Sequence, residues 1–193
     1  LNHFAMLDII ASNIPERPVY FTITAQVPMI PAEYLQVEGL SYKVVPHITN
    51  DPGNNFYSGG VNPEQILNKV KNDFQMPDLS KIDVIGNHHQ LLSYSYRMIM
   101  YQACVEFAQK QDTLHAVEIL DISEKWFPYS AFHANASAIP VVEYLYKLGL
   151  NDRADFISKE IINGIIKEYP LESSSASDIQ MAYSMLGYLE NLL

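Results

Sequence analysis

Side chains that could do chemistry are few and scattered. His88 and His89 stand side by side. Adjacent residues point to opposite sides of an extended segment and lie about 100° apart at a helix start, so neither disposition makes a two-ligand metal site unaided. His3, His47, His115 and His133 are isolated. The carboxylates Asp83, Glu106 and Glu143 are spread along the chain, whereas glycoside cleavage needs two of them facing across a cleft. There is no GxSxG, Walker loop, GxGxxG or HExxH, and Ser58, Gly59 and Gly60 read as a turn, not a phosphate cradle. Cys104, the one cysteine, falls on the apolar face of a helix. It reads as a buried small residue, since a reactive thiol needs an exposed, electropositive setting. No catalytic residue, metal or cofactor is expected.

Binding chemistry is what remains. In paired helical hairpins the first helices line a concave side. Repeat position points Tyr101, Val105 and Gln109 toward it from one hairpin and Glu143, Tyr146 and Lys147 from the next. Tyrosines beside polar groups suit an extended peptide or a saccharide, because rings stack and polar ends orient. The alternative is that these rings pack against the connector or the last helix. Trp126 reads as a packing plug against Pro128 and Phe132.

The hairpins that would position these residues are written in the apolar period. Met100, Ala103, Cys104 and Phe107 repeat at i, i+3, i+4, i+7, one face of a helix. Gln111, Asp112 and Thr113 break the pattern, and Asp112 or Thr113 can cap a second helix bearing Ala116, Leu120 and Ser123, which Pro128 ends. The unit has the tetratricopeptide pattern, with a period of about 34 residues. A second unit follows over 138–170, where Leu145, Gly149 and Ala154 match Phe107, Gln111 and Ala116. Gly149 predicts a left-handed helix stop, and Asn151 or Asp152 a cap. A last helix over 178–193, with Ile179, Ala182, Met185, Leu186 and Leu189 on one face, would close the open end after a flexible Glu172–Ser177 connector.

Before the hairpins the pattern is mixed. Residues 4–14 read as a helix with Phe4, Leu7, Ile10 and Ala11 on one face, ended by Pro15. Val19–Thr24 is the clearest strand, and the alternation over 39–46 predicts a second that pairs with it. Residues 32–36 read as a helical turn, 47–60 as a loop, and 77–87 as irregular. Asn62 predicts a cap for a helix with Ile66, Leu67, Val70 and Phe74 on its apolar face. The expected fold is therefore mainly α (α+β). Residues 1–87 make a small α/β cap with loop and helix, and 88–193 make two tetratricopeptide-like hairpins with a closing helix.

Composition narrows the partners. The 193 residues are 48% hydrophobic, enough for a sizeable core. The formal net charge of −10 disfavours nucleic acid and anionic lipid. No stretch reaches the roughly 18 apolar residues of a membrane span, and no signal peptide is visible. The chain begins at Leu1 and enters an apolar helix at once, which reads as an excised piece of a longer protein.

Four segments occur in a telling order: AMLDIIA at 5–11, ERPVYF at 16–21, EGLSYKVVP at 38–46 and GGVNPEQIL at 59–67, with the hairpins after them. The chain thereby resembles, over nearly all its length, the carboxy-terminal soluble region of a bacterial family of multi-pass membrane proteins of unknown function. That family is similar to protein O-mannosyltransferases and other membrane glycosyltransferases. The resemblance implies membrane spans before Leu1 that carry any glycosyl transfer, and a position on the periplasmic face of the inner membrane. It implies a non-catalytic accessory domain that recruits or positions a protein, peptide or glycan acceptor or partner. The alternative is a free-standing tetratricopeptide-like protein–protein interaction module.

Overall fold

In the computed structural model, which describes residues 2–14, 16–22, 30–49, 59–76, 86–170 and 174–192, the fold is mainly helical with a small sheet near the N-terminus. The expected first hairpin is α3 (Asn87–Gln109) and α4 (Thr113–Trp126). Met100, Ala103, Cys104 and Phe107 of α3 and Ala116, Leu120 and Ser123 of α4 are all buried, and the two helices pack on each other. Asp112 caps α4 by accepting the His115 backbone N–H at 3.2 Å, and Pro128 lies just past its end.

The second hairpin, α5 (Ile139–Lys147) and α6 (Asn151–Glu168), turns in the same way. Gln111 has φ 59° and Gly149 φ 74°. The N–H groups of Gln111 and Asp112 donate to the carbonyls of Ala108 and Phe107, and those of Gly149 and Leu150 to Tyr146 and Leu145, all at 2.9 Å. Both turns are thus Schellman motifs with identical bonding. They superpose the residue pairs matched in the sequence, although Gln111 and Gly149 stand further apart than the about 34 residues of a tetratricopeptide unit. One expectation is corrected. α6 begins after Leu150, without a side-chain cap. Asn151 and Asp152 already lie inside the first turn, where Asp152 faces the positive end of the helix dipole.

Gln111 does in the left-handed region what glycine does without steric cost. Gln111→Gly is expected to stabilise the fold by about 1 kcal/mol. The check is a higher urea midpoint with an unchanged m-value.

At the N-terminal end β1 (Tyr20–Thr22), β2 (Leu35–Glu38), β3 (Ser41–Val44) and β4 (Gly60–Val61) form one sheet in the order β1-β3-β2-β4. β3 pairs antiparallel with β1, Phe21 opposite Tyr42, as the alternation predicts. Residues 23 and 24 of the predicted first strand lie outside the described residues. Two strands were not expected. Only Ala32–Tyr34 is a helical turn, of 3-10 type. Leu35 then opens β2, because Leu35 and Val37 are buried while Gln36 and Glu38 are only half-buried, a two-residue period that pairs with β3. Gly60–Val61 pairs parallel with β2. Buried Thr49 ties this edge together, donating to the Leu35 carbonyl at 3.1 Å and accepting the Gly60 N–H at 3.0 Å. Gly59 enters β4 at φ 100°, where a Cβ would stand 2.3 Å from the Leu35 carbonyl oxygen.

α1 (Asn2–Asn13) forms, but a different face packs. Met6, Ile10 and Ile14 lie against the core, whereas Phe4 is 81% exposed and Leu7 and Ala11 are also exposed. α2 (Pro63–Asn72) is capped by Asn62 and buries Ile66, Leu67 and Val70, and Phe74 falls beyond it. α7 (Ala176–Glu190) starts on a Ser175–Asp178 capping box and turns Ala182, Met185, Leu186 and Leu189 to the core. One continuous core runs from Val37 of the sheet to Leu189 of α7. The expectations for Pro15, Ser58, residues 77–85, which include Asp83, and residues 172–173 lie outside the described residues.

Candidate functional site

α3 is long enough to serve two neighbours. One face packs on α4, and another stripe, Met98, Gln102, Val105, Glu106 and Gln109, faces α5 across a groove of about 220 Å³. These residues recur every three or four positions, so they project in one direction. Pro140, Glu143 and Tyr144 of α5 form the opposite wall, and Tyr188 of α7 contributes a half-exposed ring. Gln109 Nε2 donates to the Tyr144 hydroxyl at 3.0 Å, bridging the walls.

The expected binding residues divide. Val105, Gln109 and Glu143 line the groove. Tyr101 touches it only as part of the wall. Its ring is 3% exposed and its hydroxyl is spent on the Tyr129 hydroxyl at 3.1 Å. Burial pushes the Tyr101 phenol pKa up, so it is a core group and not a stacking platform. Tyr146 lies outside the groove, donating to Asp155 Oδ1 of α6 at 2.5 Å. It lies two positions after Tyr144, which on a helix is about 200° of rotation. Lys147 is exposed and engaged, bonded to Glu143 at 2.6 Å and seated 4.7 Å from the Tyr144 ring centroid. The bond to Glu143 raises its pKa.

Gln102, Glu106, Tyr144 and Tyr188 are among the groove residues that were not anticipated. Gln102 is 9% exposed, and among the described residues neither its Oε1 nor its Nε2 has a hydrogen-bond partner. Leaving a buried amide unpaired costs on the order of 1–3 kcal/mol. Glu106, one turn on, makes no ion pair among the described residues, because Lys110 is bonded to Glu64 of α2 at 2.9 Å. Burial pushes the Glu106 carboxyl pKa up, while Lys110 pulls it down and Glu64 adds to the rise.

A raised carboxyl pKa means that the folded chain binds the proton more tightly than the unfolded chain. Stability therefore falls as pH rises above the unfolded carboxyl value toward the folded one. Glu106→Gln is expected to melt higher than the parent at about pH 7 and no higher at about pH 3, where the parent is already protonated. Thermal unfolding at the two pH values checks this.

Other polar groups are structural. Asp121 and Glu124 of α4 meet Arg153 of α6 at 2.6 and 3.0 Å, joining the hairpins. His115 Nδ1 pairs with Asp112 at 2.7 Å, and His133 Nε2 with Lys167 at 3.0 Å. His88 and His89 fall in the first turn of α3. Among the described residues no three His, Cys, Asp or Glu side chains converge on one point. Burial pushes the Cys104 thiol up to about 12, which keeps it protonated and unreactive. Trp126 is buried with Phe127 edge-on to it.

Residues 1–65 match the family model described as TMEM260-associated domain 2, a domain of a membrane-protein family. The match takes in the sheet and ends in the first turn of α2, short of the hairpins, and of the groove lining it includes Val61. No curated protein and no solved structure matches the chain. Among the described residues no helix is long and apolar enough to cross a membrane.

Proposed function

We propose that these residues form a non-catalytic accessory domain of a membrane protein of glycosyltransferase type, on its periplasmic face, and that the α3–α5 groove recruits or positions a polypeptide acceptor or partner. The observation that carries this is Gln102, a groove-lining residue whose buried amide has no hydrogen-bond partner among the described residues. A buried donor and acceptor left open is a cost to folding that a ligand can offset. The match of residues 1–65 to a membrane-protein domain supports the membrane setting. An extended polypeptide suits the site because its lining runs along one stripe of α3 from Met98 to Gln109.

The second reading is a free-standing tetratricopeptide-like interaction module. It is favoured by the two hairpins with identically bonded turns. Fractionation of the native cells, with external protease added to spheroplasts, separates the two. Material in the membrane pellet that protease removes is the expected result. A protected, non-sedimenting signal would overturn the accessory reading and leave the module.

A further inference from the structure

We propose that the groove takes an extended polypeptide segment carrying one basic side chain, with Gln102 pairing its backbone amide and Glu106 its cation. This rests on the reading of the groove as the partner site and adds the chemistry of the partner.

Length is the first argument. The stripe from Met98 to Gln109 rises about 1.5 Å per residue, or about 17 Å in all. Extended chain rises about 3.3 Å per residue, so the groove accommodates about five residues. Pairing is the second. A peptide unit offers one N–H and one C=O, and the Gln102 side chain offers the complementary acceptor and donor, both enclosed and unpaired among the described residues, so the amide turns outward into the groove to meet the peptide. Few other groups present both with the same spacing.

Charge is the third. Among the described residues two carboxylates line the groove. Glu143 is neutralised by Lys147 at 2.6 Å, but Glu106 is not, because its neighbour Lys110 is held by Glu64 at 2.9 Å. A partly desolvated carboxylate without an ion pair favours a cation and rejects an anion. The formal net charge of −10 draws a basic segment toward the domain at long range.

The probes are three capped pentapeptides, acetylated and amidated, of alanine with arginine, glutamine or glutamate at the centre. Each is titrated into the ¹⁵N-labelled domain while amide shifts are followed. The arginine peptide is expected to shift Gln102, Val105, Glu106 and Tyr144, with the glutamine peptide about tenfold weaker and the glutamate peptide weaker again. In Glu106→Gln the arginine and glutamine peptides should bind alike. In Gln102→Met all three should weaken, with the melting temperature confirming that the variant is folded. Equal affinity of the three peptides for the parent would overturn the charge preference and leave the polypeptide groove standing. No shift with any peptide would overturn both readings. Shifts at the same residues with maltotriose alone would overturn both in favour of a glycan.

Discussion

Arg97→Met is expected to destabilise the fold by about 3–5 kcal/mol, the range for stripping a buried charge from its partners. Arg97 is 3% exposed and its guanidinium is the clasp of the inter-hairpin connector. It donates to the carbonyls of Phe132 at 2.8 Å and His133 at 3.1 Å, and also to that of Phe127. The Tyr129 ring lies against it, 4.9 Å from centroid to guanidinium carbon. Methionine keeps much of the volume but leaves three carbonyls without their donor, each worth on the order of 1–3 kcal/mol when buried and unpaired. Arg97→Lys keeps the charge and loses the fork, so it should fall between, at about 2 kcal/mol. Thermal unfolding would read the methionine variant as a loss of roughly 10 °C or more. A loss below about 1 kcal/mol would mean that the connector is held by something else.

The second large effect reverses an intrinsic preference. In an exposed helix Gly→Ala stabilises by about 1 kcal/mol. At Gly164, inside α6, an added Cβ would stand 1.9 Å from the Ala134 carbonyl oxygen, and that oxygen belongs to backbone that cannot rotate aside. Gly164→Ala should therefore destabilise by about 3 kcal/mol, the upper end of the overpacking range. Gly187 in α7 is the control, because no described residue lies within 4 Å of its Cβ position. Gly187→Ala should stabilise by about 1 kcal/mol. Denaturant unfolding of the pair separates contact from propensity, and a Gly164→Ala variant as stabilised as Gly187→Ala would contradict the close approach. The contact also bears on the groove, since α6 pressed on Ala134 fixes where the connector delivers α5.

Both hairpins were legible because their information is local. An apolar stripe at helical period and a break at 111–113 repeat at 149–152, and the two left-handed turns occur at the positions the alignment matched. β2 was hidden because Ala32 to Gln36 are good helix formers. What makes Leu35 and Val37 a strand is the edge of β3 and the core beneath it, a tertiary choice that overrides propensity. The outward face of α1 was misassigned for a similar reason. Its apolar residues surround the helix, so period alone does not choose between Phe4–Leu7 and Met6–Ile10.

The groove was half legible. Val105 and Gln109 follow from the stripe, but Tyr144 could not be told from Tyr146 without knowing how α5 rotates against α3, and Tyr188 arrives from a distant helix. Arg97 did carry a signal. It lies three and seven residues before Met100 and Cys104, on the buried stripe, and a charge there must be enclosed and bonded. Gln102 has no such mark, because a glutamine beside an apolar stripe looks like any flanking polar residue.

The most direct test of the account is the stability of Gln102→Met. If the Gln102 amide is held open for a partner, a methionine of similar size removes an unpaired buried donor and acceptor and fits the wall. The variant should then unfold at higher denaturant, by about 1 kcal/mol, while losing affinity for the arginine pentapeptide. A variant less stable than the parent would contradict the account, because it would mean that the amide is already satisfied within the fold and that the groove holds nothing open for a ligand.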